Sequence, residues 1–278
     1  MPRPNRGDIY SDITFDLLPT LQITKLTTIP ESYNEIKDHS IALSNDLKHV
    51  AYPVYINGIP KFVVFDDTKQ RPYDEVSNLT FSQDGKHLAY RAKLGPEWFM
   101  VLDGKEEKHY DAIGDPVFSP DSLKFAYVAY SSQTLLQFAV INGAEWKGYD
   151  GVWGITFSND SKQIGYLARS GNEVFAVLNR KEQPHYKAAW AGEFIFSEDG
   201  SQHAYVVTNE DGSGFLVLNG TPGKTYDGVG QPVFSPDGRT IAYVASKSNE
   251  GFVVRDSVEG RLRYNVRDGR INIRNFGF

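Results

Sequence analysis

Short apolar runs and turn-forming residues alternate along most of this chain with a nearly constant period. A Phe-Ser-x-Asp phrase occurs five times, and Leu43-Ser44-Asn45-Asp46 opens the series in a related form. The serines of these phrases are 37 to 39 residues apart: Ser44, Ser82, Ser119, Ser158, Ser197 and Ser235. Such regular self-similarity predicts a repeat protein in which each unit is one supersecondary structure.

Each unit contains further landmarks at fixed distances from its serine. Eight residues on is a Tyr preceded by Ala or Gly, and about ten residues later a Phe opens an apolar run. Several runs end in Asp-Gly or Asn-Gly, which favour two-residue hairpins because both central residues need a positive φ. No segment has a convincing 3.6-residue apolar period. We therefore predict four short antiparallel strands per unit and almost no helix.

A single four-stranded unit cannot bury both of its apolar faces. Units placed side by side around an axis bury those faces against one another, as the blades of a β-propeller do. The small residue before each Tyr permits close approach of neighbouring sheets, and the Tyr ring can lie between them. The predicted fold class is therefore all-β, a β-propeller of four-stranded antiparallel blades.

The predicted domain organisation is one propeller domain over residues 1–278. Residues 37–260 contain the six repeats, and residues 1–36 and 261–278 supply terminal strands that close the ring. The length left at the two ends is close to one blade, which favours seven blades with one shared between the termini. The alternative is six blades. Sharing a blade removes the open sheet edges that promote aggregation.

Two phrases connect the repeat to a known family. Phe-Ser-Pro-Asp-Gly-Arg-Thr-Ile-Ala-Tyr at 234–243 and Phe-Leu-Val-Leu-Asn-Gly at 215–220 resemble the Pro-Asp variant of the WD-repeat family, the type found in TolB-like propellers. The resemblance covers residues 41 to about 256, although only two units contain the full Pro-Asp. It implies a propeller but no single function, since members include interaction modules of bacterial envelopes and propeller domains of large peptidases.

The same resemblance favours a location in the periplasm or outside the cell. The first ten residues, however, are not a signal peptide, because no apolar stretch follows their positive charges. The sequence itself leaves the compartment open, the cytoplasm included.

Composition narrows the function classes. The chain has no Cys, which excludes disulfides and thiolate metal sites. Its formal net charge of −6 argues against a nucleic-acid partner. No apolar run reaches the roughly 18 residues of a membrane span.

Catalytic motifs are missing from the sequence as well. Neither a Gly-x-Ser-x-Gly elbow nor a phosphate-binding loop occurs. The Asp of the repeated phrase is interpreted as a turn residue, because Asp side chains bond their own backbone in tight turns. The six His lack zinc-site spacing, and we expect them to be solvated on strand faces. We therefore predict no enzyme activity, no cofactor and no metal.

Deviations from the repeat are the better guide to a binding site. In a propeller, the residues just before the innermost strand of each blade line one mouth of the central channel, and here they differ from blade to blade. Trp side chains there are typical anchors for a protein or peptide partner. The equal alternative is that these loops vary freely and their Trp pack on neighbours. The candidate residues are Asp38, His39, Asn78, Asp115, Trp153, Trp190, Glu193 and Gln231.

A second candidate surface is rich in Arg. Six of the thirteen Arg lie between positions 255 and 274. Forked Arg side chains could dock an anionic partner. The pattern modestly favours the alternative, which is the solvated face of a terminal hairpin. The residues concerned are Arg261, Arg263, Arg267, Arg270 and Arg274.

These observations predict a non-catalytic propeller that binds a protein or peptide, as a scaffold or as a subunit of a larger assembly. The alternative is a small-ligand-binding or metal-dependent propeller enzyme with its site at the channel mouth. Asp38, Asp115 and Glu193 would then be the carboxylates that converge there.

Overall fold

A computed structural model describes residues 41–56, 58–248 and 250–265, without the side chains of residues 56, 60 and 261–265. Within these ranges the chain forms six antiparallel sheets and no helix. The six predicted repeats correspond to these six sheets, which we name A to F in chain order.

Each sheet is a meander of short strands. Sheet A contains β1 (Ala42–Leu43), β2 (Val50–Ile56), β3 (Ile59–Phe65) and β4 (Thr68–Lys69). Sheet B contains β5 (Glu75–Phe81), β6 (Leu88–Leu94), β7 (Glu97–Leu102) and β8 (Lys105–Tyr110). Sheet C contains β9 (Ala112–Ile113), β10 (Val117–Phe118), β11 (Phe125–Ser131), β12 (Leu136–Ile141) and β13 (Ala144–Glu145).

The second half of the chain repeats this plan. Sheet D contains β14 (Gly151–Phe157), β15 (Ile164–Ser170), β16 (Glu173–Leu178), β17 (Lys181–Glu182) and β18 (Tyr186–Lys187). Sheet E contains β19 (Trp190–Ala191), β20 (Ile195–Phe196), β21 (His203–Thr208), β22 (Gly214–Leu218) and β23 (Thr221–Pro222). Sheet F contains β24 (Gly228–Val229), β25 (Val233–Phe234), β26 (Ile241–Lys247), β27 (Glu250–Arg255) and β28 (Val258–Asn265).

The fifth strand of sheets C to F comes from an interruption of an edge strand. In sheets C, E and F the first strand is split into two pieces that both pair with the second strand. In sheet D the last strand is split, and β17 and β18 both pair with β16. The prediction of four strands per repeat is therefore confirmed.

The core lies between successive sheets. Tyr90 and Phe99 of sheet B, for example, pack against Ala51 and Val63 of sheet A in one apolar cluster. Equivalent clusters join B to C, C to D, D to E and E to F. Burial of these apolar surfaces stabilises the stack in the way predicted for the repeated Tyr. The most deeply buried tyrosines are Tyr52, Tyr90, Tyr127, Tyr166 and Tyr205.

The repeated Ser-x-Asp phrase closes the turn between the first and second strands. In sheet D the Ser158 hydroxyl donates to Asp160 Oδ1 over 2.6 Å and accepts from the Gln163 amide over 2.9 Å. Asp160 Oδ1 also accepts from the Lys162 amide at 3.1 Å. The hydroxyl first, then that amide, lowers the pKa of Asp160 to about 2. These bonds confirm the interpretation of the repeated Asp as a turn residue.

The hairpins between the third and fourth strands also follow the prediction. At the C-sheet hairpin, Asn142 and Gly143 have φ values of 47° and 75°. The Asn142 side-chain oxygen accepts from the Phe125 amide at 2.9 Å, which ties the hairpin to the start of the second strand. Both kinds of turn lie at the same end of the strands in every sheet, and we call this end the turn face. The connections between successive sheets lie at the opposite end of the strands, which we call the mouth face.

The two predicted terminal segments are described only in part. Residues 261–265 run in β28, the last strand of sheet F, whereas residues 1–36 and 266–278 lie outside the described residues. The seventh blade and the closure of the ring therefore stay predictions.

Candidate functional site

Four of the predicted channel-mouth residues occupy the same position in their sheets. Each lies two positions after the inward-facing residue of its first strand, which is Val76, Ile113, Ala191 or Val229. All four candidates are exposed: Asn78, Asp115, Glu193 and Gln231. In the described ranges no hydrogen bond or ion pair joins any two of them. Nor does that part of the chain contain a group of three His, Asp or Glu able to hold a metal ion. Asp38 and His39 lie outside the described residues.

Two predicted tryptophans meet on the mouth face. Trp153 of sheet D and Trp190 of sheet E stack with ring centroids 4.8 Å apart and planes inclined by 15°. The Trp153 indole N–H donates to the Ala191 carbonyl over 3.1 Å. Trp153 is half-buried, whereas Trp190 remains 51% exposed. The pair is therefore a fixed aromatic platform with one large open surface.

A local insertion lies just before Trp190. Five positions separate Tyr186 from Ala191, whereas three separate the equivalent Tyr149 from Val152. The two extra residues lie before β19, and the Arg169 guanidinium donates to the Ala189 carbonyl. Trp190 itself keeps the usual register, since it pairs with Thr208 as Gly151 pairs with Arg169.

Trp153 also differs from its counterparts. It stands where sheets C, E and F have Gly114, Gly192 and Gly230. Trp190 likewise stands where sheets B, C, D and F have Glu75, Ala112, Gly151 and Gly228. Two separate replacements by Trp thus create one stacked pair.

Asp115 is held by an arginine that the sequence reasoning did not single out. Arg91 of sheet B donates from its terminal nitrogen to Asp115 Oδ1 at 3.1 Å. Its guanidinium carbon lies 4.8 Å from the centroid of the Trp98 ring. Its Nε is buried and has no hydrogen-bond partner among the described residues.

Alignment of the repeats could have found Arg91. The equivalent positions in sheets C to F hold apolar residues: Val128, Leu167, Val206 and Val244. A charge at a core position is the kind of exception that marks a functional or a special packing site.

A cavity of about 500 Å³ opens on the mouth face between sheets C and D. Asp115 and Trp153 both line it, and Ile113, Val117 and Val152 give it an apolar surface. Its polar lining includes Gln137, whose side-chain oxygen accepts from the Val152 amide at 2.8 Å. Convergent polar groups in a largely apolar concavity are typical of binding sites. We call Asp115, Trp153, Trp190 and this cavity the mouth surface.

Among the five described histidines, His203 differs from the expectation of a solvated side chain. His203 is only 8% exposed and stacks on Phe194 at 5.3 Å between ring centroids. Burial lowers its pKa. The expectation was wrong for His203 because this residue begins the second strand, where the other sheets have Val50, Leu88, Phe125, Ile164 and Ile241.

The predicted Arg strip is described only at its start. The backbone of Arg261 and Arg263 lies in β28. Arg267, Arg270 and Arg274 lie outside the described residues, so the strip stays a prediction. No helix in the described residues is both long and apolar enough to cross a bilayer.

Comparison with known proteins identifies the fold. No protein-family model matches the chain, and no curated protein matches it. Among solved structures, one described as the eukaryotic initiation factor is similar with a TM-score of 0.50 and 13% identity, over 77% of this chain and 62% of that one.

Two further similar structures have lower scores. The β-propeller domain of the Trilobed protease from Pyrococcus furiosus has a TM-score of 0.44 at 13% identity, over 69% of this chain and 71% of that one. TolB from Acinetobacter baumannii has a TM-score of 0.38 at 16% identity, over 77% of this chain and 64% of that one. Six stacked antiparallel sheets of four principal strands each, together with the first of these similarities, identify the fold as a β-propeller. Likeness at this identity concerns the fold alone.

Proposed function

We propose that this propeller is a non-catalytic binding module that takes up a protein or peptide partner at the mouth surface, as a scaffold or as a subunit of an assembly. One observation carries the proposal: the stacked Trp153–Trp190 pair lies beside a cavity, with Trp190 half open to solvent.

The physical case rests on preorganisation. Trp is enriched among the residues that dominate binding energy, particularly beside well-packed pockets. The stack and the hydrogen bond from Trp153 to Ala191 hold both rings before a partner arrives, so little conformational entropy is lost on binding. Such an exposed aromatic surface next to an apolar cavity is also typical of interaction sites.

Site-specific photo-crosslinking tests the proposal. A photoreactive amino acid at position 193, on the mouth face, should trap a partner in native extract, whereas one at position 239, on the turn face of sheet F, should not. The dissociation constant of the trapped partner is then measured with purified protein. Trp190→Ala should weaken binding at least tenfold, since truncation of an anchoring Trp costs about 2 kcal/mol or more.

A matched control removes an exposed apolar side chain elsewhere. Leu123, on the turn face, is more exposed than Trp190, and Leu123→Ala should leave the affinity unchanged. Equal binding by Trp190→Ala and wild type would contradict the proposal.

A small ligand in the same cavity is the second candidate. The cavity volume lies within the range of ligand pockets, which runs from about 300 to 1,000 Å³. Asp115 is already paired with Arg91, and this pairing disfavours a free carboxylate for metal binding or acid–base work. Native mass spectrometry of the purified chain, with elemental analysis, tests this candidate. A stoichiometric small molecule or metal that Trp153→Gly abolishes would favour it over a protein partner.

A further inference from the structure

The turn face has a groove of about 430 Å³ between sheets C and D, on the side opposite the mouth surface. Buried apolar residues form part of its lining: Ile141, Phe157 and Ile164. Three cations complete it: Lys124, Lys162 and Arg180. None of the described residues that line the groove is acidic. This is a local reversal of charge in a chain whose formal net charge is −6.

Trp146, which also lines the groove, departs from the repeat. It follows the hairpin residue Asn142 by four positions, where the other sheets have Gln70, Glu107, Gln183, Gly223 and Gly260. Its ring lies 6.1 Å from that of the buried Tyr166, between centroids, which fixes its orientation.

Arg180 is a second departure at the same place. It is the second residue of the β16–β17 hairpin, where sheets B, C and E have Gly104, Gly143 and Gly220. Its φ is 70°, a value that Gly adopts readily and that a side chain disfavours. The hairpin therefore tolerates backbone strain while it presents a charged side chain to the groove.

The Arg180 guanidinium lies on the Trp146 ring, 4.8 Å from the centroid. A guanidinium that lies over an aromatic ring keeps its N–H edges free for the two oxygens of a carboxylate. No carboxylate of the described chain forms an ion pair with Arg180. The stack thus preorganises a forked donor at the groove.

The two lysines extend the positive surface. Lys162 pairs with Asp160 at 3.2 Å, and its side chain is 81% exposed. Lys124 spans the groove from sheet C, and its ammonium donates to the Ser161 carbonyl over 2.6 Å.

We infer that this groove binds an acidic peptide segment of a partner protein, with a carboxylate on Arg180 and a neighbouring large apolar side chain against Ile141, Phe157 and Ile164. The partly exposed Trp146 ring at the groove favours a peptide over a free anion, because an apolar side chain removes that surface from water and a free anion does not. The inference is independent of the mouth surface, which lies at the other end of the strands.

A peptide library tests this inference. Random heptapeptides displayed on phage are selected on the immobilised full chain, and Asp or Glu next to Leu, Ile or Phe should be enriched. The affinity of a selected peptide is measured by fluorescence anisotropy against wild type and the double variant Arg180→Gly, Lys162→Ser. Sheet E has Gly220 and Ser201 at those positions, so the variant should fold. Its binding should be at least tenfold weaker.

Matched substitutions on sheet F control for the backbone change. Ser257→Gly with Arg239→Ser alters the equivalent positions and should leave the peptide affinity unchanged. Trp190→Ala should also bind the peptide normally, which separates this groove from the proposed mouth surface. Absence of acidic enrichment, wild-type affinity in the double variant, or displacement of the peptide by inorganic phosphate at matching concentration would each overturn the inference.

Discussion

Gly165 of sheet D lies directly against Phe194 of sheet E. A Cβ atom placed on Gly165 would come within 2.2 Å of the Phe194 ring, far inside van der Waals contact. The other repeats have Ala at the Gly165 position, and the residues equivalent to Phe194 in sheets B and D are the smaller Leu79 and Ile155. At the D–E interface, sheet D thus lacks the methyl group that Ala would supply, and the phenyl ring of sheet E fills that space.

Gly165→Ala should therefore destabilise the protein by about 1–3 kcal/mol through overpacking, since Phe194 is 1% exposed and has little room to move. Phe194→Leu should remove the clash, so the double variant should be more stable than the sum of the single changes predicts. Urea denaturation of all four proteins measures this coupling. Strictly additive costs would show that the two positions do not interact.

We expect the folded protein to lose stability in acid, because its turn carboxylates become protonated. The folded-state pKa of Asp160, about 2, lies below its ordinary value of 3.8. Its contribution is therefore complete above pH 3.8 and is lost as the pH falls through 2. Asp160→Asn should be less stable than wild type at pH 6, and the difference should shrink between pH 4 and pH 2. Urea midpoints across this range provide the measurement, and a constant difference would contradict the assignment.

The repeated part of this structure was predictable because each recurring residue has a local physical role. Ser158 and Asp160 close a turn, and Asn142 with Gly143 forms a hairpin by virtue of positive φ. Such roles depend on neighbours within a few residues, so the sequence displays them directly. The number of strands, their order and the absence of helix from residues 41–56, 58–248 and 250–265 followed from that.

The site was less predictable because it depends on contacts between repeats. Trp153 and Trp190 were both candidates, but nothing in the sequence indicates that their two rings stack across the interface of sheets D and E. Arg91 meets Asp115 only through the packing of sheets B and C. Aligning the repeats and marking each charged or aromatic residue at an apolar or Gly position would have found Arg91 and Trp153.

Positive φ at a non-Gly residue predicts a stabilising substitution. Ser257, the second residue of the β27–β28 hairpin, has a φ of 69°, where three other hairpins have Gly. Ser257→Gly should raise the free energy of unfolding by about 1 kcal/mol, because a side chain is disfavoured in this region. Thermal denaturation measures the gain. Ser201→Gly, in the Ser197–Gln202 turn of sheet E, has no positive φ to relieve and serves as the control; a similar gain there would argue against the explanation.

Arg91 should matter for binding more than for stability. Arg91→Val places the residue of sheets C, E and F at this position and removes the buried, unpartnered Nε. It also removes a half-exposed ion pair, which is worth about 0–1 kcal/mol. The stability should therefore change by less than about 1 kcal/mol, while Asp115 loses its fixed position at the mouth surface. Partner affinity and urea midpoints are compared on the same protein; a large loss of stability with unchanged affinity would assign Arg91 to the core alone.

Removal of Trp153 alone separates the placement of Trp190 from its chemistry. Trp153→Gly introduces the residue that sheets C, E and F have at this position. The D–E core retains Phe194, Tyr205 and Leu167, so cooperative unfolding should persist, with some loss of stability because Trp153 is half-buried. Trp190 then lacks its stacking partner, and the exciton signal of the two indoles in circular dichroism should disappear. Partner affinity should fall as far as in Trp190→Ala even though this variant still has Trp190. If affinity survives while the exciton signal is lost, the stacked arrangement is not what the partner recognises.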